Sequence, residues 1–195
     1  ADEKTSIRTI FIFLCREESI HMKKQILWIT ETAVMLALLV TLQALTKAAG
    51  QYVTGSCVNL ILAVTALTAG LGSGAAVAAL SPFFAFLLGI GPQLLPIVPA
   101  IALGNLAYVV LLWALAGKKN CSIGRIVSAW LGAAAGKAAA LYLLVVQLLC
   151  RLLPLQPQQI EMFTAMFSLP QLLTALAGGG IALLIVPVVR RALGK

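Results

Sequence analysis

The sequence predicts an all-α integral membrane protein of six transmembrane helices with both termini in the cytoplasm, and three observations carry that prediction. The 195 residues are 61% hydrophobic and 10% charged, with a mean hydropathy of +1.02, values far from those of a soluble domain. The apolar residues come in runs long enough to cross a bilayer. Between the runs lie basic clusters, Lys23-Lys24, Lys118-Lys119 with Arg125, and Arg190-Arg191 with Lys195, which the positive-inside rule assigns to the cytoplasmic side. The net charge of +8 therefore reads as topology. No basic patch is interleaved with exposed aromatics as a nucleic-acid surface would be, so no nucleic-acid partner is expected.

Residues 1–21 differ in character from the rest of the chain. The apolar piece Ile10 to Leu14 is too short to span, and no small-residue cleavage site comes after it. Arg16-Glu17-Glu18 can be encoded by a purine-rich ribosome-binding sequence just upstream of Met22. The segment is thus expected to be a leader or added sequence with Met22 as the natural start; the alternative is an amphipathic arm lying on the membrane surface. Residues 22–195 form the six-helix membrane domain.

The first span is expected from about Ile26 to Thr46. Along it Thr30, Ala33, Ala37, Thr41 and Ala44 recur every three or four residues, a small-residue stripe that lets another helix approach closely, in this chain or in another. Lys47 to Ser56 reads as a polar, glycine-punctuated outer loop. A short returning span runs from Cys57 to Ala69 and contains Asn59. The turn Gly70 to Gly74 leads into a third span from about Ala75 to Leu88, with Pro82 inside it. Gly89 to Pro99 holds three closely spaced prolines that prevent a helix from closing its hydrogen bonds, so an outer loop is placed there.

The fourth span, ending near Ala116, carries Asn105 and Tyr108 three residues apart and hence on one face. Asn105 sits at mid-depth, where an amide requires either a helix partner or a ligand. The fifth span runs from about Ile123 to Leu149. Arg151 to Gln159 is read as the last outer loop. The sixth span runs from about Ile160 to Val189, with Pro170 expected to kink it, a polar stripe of Thr164, Ser168 and Gln171, and Gly178-Gly179-Gly180 inviting close packing or a bend.

The fifth span holds the most costly residue, Lys137, inside Trp130-Leu-Gly-Ala-Ala-Ala-Gly-Lys-Ala-Ala-Ala-Leu-Tyr142. At about 1.5 Å per residue it lies roughly 20 Å from the start of its helix, beyond the reach of snorkelling to the near surface. A cation at that depth must face protein, water or an anion. Two readings stand side by side: a lysine satisfied by backbone carbonyls of a neighbouring helix, or a ligand-binding group.

The residue types exclude several activities. After Glu31 the only acidic residue is Glu161, and there is no glycine-rich loop ending in Lys-Ser/Thr, so nucleotide hydrolysis is not expected. The only histidine, His21, precedes the first span, which removes the usual proton-pump groups. Cys15, Cys57, Cys121 and Cys150 show no metal-ligand spacing. No nucleophile and base pair marks an intramembrane enzyme. The chain has no motor of its own.

The small-residue stripe, the six spans and the missing motor resemble the substrate-binding S component of an energy-coupling factor (ECF) vitamin transporter. Ala33-Val34-Met35-Leu36-Ala37 is similar to the Ala-x-x-x-Ala signature of that family. So are the Gly-Ile-Gly-Pro loop leading to Gly104-Asn105 and the glycine/alanine-rich fifth helix with a lysine before Leu-Tyr. The resemblance implies a non-enzymatic transport subunit of a prokaryotic cytoplasmic membrane that captures a vitamin-like solute at the outer face. It also implies delivery through a transmembrane coupling subunit, with ATP used by two separate ATPase subunits and no cofactor bound by this chain. Ala33 and Ala37 would dock the coupling subunit. Lys137, Asn105, Tyr108, Gln93 and Gln171 would contribute to the pocket, with Tyr52 helping to close it. Lys137 would favour a solute bearing a carboxylate or phosphate. The competing reading is a standalone facilitator or channel for a small solute.

Overall fold

The computed structural model describes residues 2–116, 122–192 and 194, with side chains from Met22 onward. The side chains of the expected leader, Lys118, Lys119, Cys121 and Lys195 lie outside the described residues. The chain order is α1 (Asp2–Thr46), a 3-10 turn (Lys47–Ala49), α2 (Gln51–Thr68), α3 (Leu71–Leu87), α4 (Ile97–Ala116) and α5 (Ile123–Leu141). The last of these runs on through a π-helical stretch (Tyr142–Leu149) into the single turn α6 (Cys150–Leu152), succeeded by α7 (Pro157–Met166) and α8 (Leu169–Ala192). Five stretches are long and apolar enough to cross a membrane: Met22–Ala49, Gln51–Thr68, Ile97–Ala116, Ile123–Leu152 and Pro157–Ala192. With the shorter apolar α3 they form an all-α bundle of about six crossings. Its outer surface is apolar, with Leu45, Leu87, Ile123 and Leu184 each more than 70% exposed, the inverse of a water-facing surface.

Small residues set the packing. Gly178 of α8 lies so close to α2 that a Cβ there would collide with the Ser56 carbonyl and sit 2.7 Å from the Leu60 amide nitrogen. On α4 and α5 the fit is reciprocal: Leu141 of α5 fills the space left by Gly104, and Leu111 of α4 fills the space left by Gly136. Between lipid-immersed helices such contact is a main source of cohesion, because apolar burial drives little association there. The three-glycine run therefore serves close packing rather than a bend.

Loops are shorter than the sequence suggests. The expected outer loop Lys47 to Ser56 is instead one 3-10 turn and the first turns of α2, joined at Gly50 with φ +87°. The expected turn Gly70 to Gly74 contracts to Ala69 and Gly70, since α3 begins at Leu71. Of these loop-like residues Thr54, Ser73 and Gly74 are buried within the bundle. The last crossing is interrupted between Met166 and Leu169, and the cause is Pro170. Without an N–H it cannot bond the carbonyl four residues back, which is that of Met166.

Two basic side chains close helix ends. Arg190 donates to the Leu67 carbonyl in the last turn of α2 at 3.2 and 2.6 Å, and Arg125 donates to the Leu115 carbonyl in the last turn of α4 at 3.1 Å. Both pairings supply donors where a helix has carbonyls to spare and a negative dipole end.

Candidate functional site

At the opposite end of the bundle the helices enclose a cavity of about 280 Å³, at the small end of the range for ligand sites. Every spanning helix contributes to its wall: Gln43 from α1, Gln51, Thr54 and Asn59 from α2, Pro82 and Phe86 from α3, Val98, Ile101 and Asn105 from α4, Lys137 from α5, and Gln171 from α8. Lys47, the loop residues Ile90 to Pro92, and Met166 with Phe167 complete it.

Lys137 is 3% exposed. Its Nζ donates to Asn59 Oδ1 at 2.6 Å and to Asn105 Oδ1 at 2.7 Å and stands 5.6 Å from the Tyr108 ring centre, within the reach of a cation–π contact. The orientation of the Asn59 amide is fixed by its own donations. Asn59 Nδ2 donates to the Gly55 carbonyl at 2.9 Å and to Thr174 Oγ1 at 3.3 Å, and the Thr174 hydroxyl donates to the Gln171 carbonyl at 3.2 Å. Those donations turn the Asn59 oxygen toward Lys137, while the Asn105 oxygen faces the same ammonium from α4. Side chains of α2 and α4 thus converge on the one ammonium from α5, and its partners are neutral amides rather than the backbone carbonyls or a carboxylate. An ammonium has three N–H donors, of which the two asparagines take two.

The mouth is built around the helix interruption. The Met166 carbonyl freed by Pro170 accepts from Gln51 Nε2 at 2.7 Å and from Gln171 Nε2 at 3.1 Å. Lys47 reaches across to the Leu88 carbonyl at 3.3 Å. Side chains of the 3-10 turn, α2 and α8 therefore tie the rim together through backbone oxygens that proline and loop geometry leave available.

Of the residues singled out from sequence, Lys137, Asn105 and Gln171 line the cavity. Tyr108 lies in the apolar core beside Lys137, fully buried. Gln93 lies on the exposed loop and donates to the Gly91 carbonyl at 3.4 Å, while Tyr52 is 57% exposed on α2; neither is among the lining residues. Sequence reasoning does not assign Asn59, Gln43, Gln51, Thr54 or Lys47 to the site. Asn59 has a signal, a mid-helix amide, but a start of α2 placed too late puts it near the surface. Ala33 and Ala37 are exposed, together with Thr30, Thr41 and Ala44. The opposite face of α1, with Thr32, Leu39 and Gln43, is the buried one.

The fold is that of a multi-pass α-helical membrane bundle with a polar pocket buried among its helices. The family model of the substrate-specific component of ECF transporters matches residues 28–190, and the chain belongs to that family. Membership implies association with an ECF coupling and ATPase module. Neither a curated protein nor a solved structure matches the chain.

Proposed function

We propose that this subunit captures a small, anionic, vitamin-like nutrient at the outer face of a prokaryotic cytoplasmic membrane and releases it inward through the coupling subunit, with ATP consumed by the partner ATPases alone. The observation that carries the reading is the floor of the cavity. Lys137 is held by two neutral amide oxygens, so its charge lacks a carboxylate partner among the described residues. A buried ammonium without a counter-ion is costly, and an anionic solute supplies one through a charge-assisted hydrogen bond. Lys47 at the rim adds a second positive group. The orientation rests on the basic residues Lys23, Lys24, Arg125, Arg190 and Arg191, which share the end of the bundle away from the cavity.

The exposed Ala33 and Ala37 support docking of the coupling subunit on α1, since no described helix of this chain covers that stripe. The test has two arms. Mass spectrometry of the small molecule that copurifies from native membranes should reveal a carboxylate or phosphate; a cation or a neutral compound would overturn the proposal. Ala33→Leu with Ala37→Leu should abolish copurification of the ATPase subunits while solute binding persists. Solute accumulation by the subunit alone in sealed vesicles would favour a standalone facilitator instead.

A further inference from the structure

Among the described residues, Gln43 is the polar side chain of the cavity wall that the floor and rim networks do not use. It is 6% exposed, lines the cavity, and its Oε1 is buried without a hydrogen-bond partner. Its polar neighbours in the wall are committed: Asn59 and Asn105 to Lys137, Gln51 and Gln171 to the Met166 carbonyl, and Thr54 to the Thr46 carbonyl at 2.8 Å. A buried amide with an unsatisfied oxygen costs about as much as a lost hydrogen bond, so native proteins rarely keep one without a use. Gln43 stands on the buried face of α1 in line with Thr32 and Leu39, where a leucine would pack at no such cost.

We infer that Gln43 is a specificity-determining residue that binds a neutral hydrogen-bonding group, a hydroxyl or an amide, on a solute whose anionic group rests at Lys137. A side-chain amide offers both a donor and an acceptor, so rotation about its last torsion lets it match either kind of group. The inference rests on the anion-binding reading of the floor and adds a second anchor on a different helix. Lys137 attracts any small anion, whereas Gln43 rejects anions that leave its amide unpaired. The penalty for a poor match falls on the protein's own buried polar group, so an anion that leaves the amide unpaired binds less tightly.

The test uses the detergent-purified full chain and a panel of small carboxylates in matched sets. One set is hippurate, 4-phenylbutanoate and the methyl ester of each, which varies the amide and the charge independently at nearly constant length. Binding is measured by calorimetry and by the shift in melting temperature. Carboxylates carrying an amide or hydroxyl should bind about tenfold more tightly than their plain partners, and Gln43→Met should bring that ratio close to one. A wild-type ratio of one, a ratio that survives in Gln43→Met, or a panel with no binder would overturn the inference. The wild-type ratio decides even if the variant fails to fold. Failure of the anion reading is read separately: methyl esters would then bind as well as their carboxylates, and Lys137→Met would not change the preference for charge.

Discussion

The two ends of this bundle use the same helices in opposite ways. From the cavity floor toward the basic end, glycine and alanine bring backbones together, as where Gly178 meets Ser56 and Leu60 or Gly179 lies under Trp130 and Tyr108, and arginines finish the helix ends. Toward the cavity mouth, Pro170 interrupts the last crossing and the amides of Gln51 and Gln171 tie the rim through the carbonyl it frees. The contrast teaches that a membrane protein with little apolar driving force between helices can stiffen one half by close approach and leave the other half open, provided every freed backbone group finds a side chain.

The largest expected effect comes from breaking the close-packed half. Gly178→Val should prevent assembly of the bundle, since its Cβ would strike α2 backbone that cannot move aside; the measurement is the folded yield in detergent by size-exclusion chromatography. Next is the floor of the open half. Lys137→Met keeps the length and removes the charge, and should weaken binding of the copurifying solute about a hundredfold while changing the melting temperature far less, because relief of an uncompensated buried charge offsets the cost of leaving the Asn59 and Asn105 oxygens unpaired. Equal losses in both would mean that the lysine serves packing alone.

Smaller effects sharpen the comparison. Gln51→Leu removes one of the two donors to the Met166 carbonyl and should weaken binding by roughly three- to tenfold with a modest loss of stability. Arg190→Ala at the other end removes only a helix-terminal pairing to Leu67, worth about 0.5–1.5 kcal/mol. It should lower the melting temperature by a few degrees and leave solute binding intact. A binding defect in Arg190→Ala would blur the division of labour between the two ends.

Much of this division is legible from residue types. The crossings come from apolar runs, and the singular position of Lys137 comes from the cost of a charge in hydrocarbon. The small residues of the α1 stripe are legible, although only the fold shows that no described helix of this chain covers them. The rim is not legible, because Lys47 to Ser56 has the composition of a water-exposed loop. In a membrane protein the same composition also marks helix turns that face a polar interior, and Gln51 and Thr54 are of that kind. Starting α2 at Gln51 rather than Cys57 sinks Asn59 by about two turns, to the depth of Lys137. Gln93 stands out by polarity, yet a loop glutamine readily pairs with its own backbone, as this one does with Gly91. The π-helical stretch from Tyr142 to Leu149 has no sequence signal. It places Tyr142 and Gln147, five residues apart, within 3.1 Å of each other, a pairing that an α-helical wheel would set on different faces.

Amide rather than carboxylate partners for Lys137 have an electrical consequence. As an ammonium it leaves the vacant subunit one unit more positive than the subunit holding a monovalent anion. Each unit charge carried through the membrane voltage exchanges about 2.3 kcal/mol per 100 mV. Any turning of the bundle that shifts Lys137 along that field would therefore feel the voltage through this charge when the site is vacant, and a monovalent anion bound beside it would cancel that contribution.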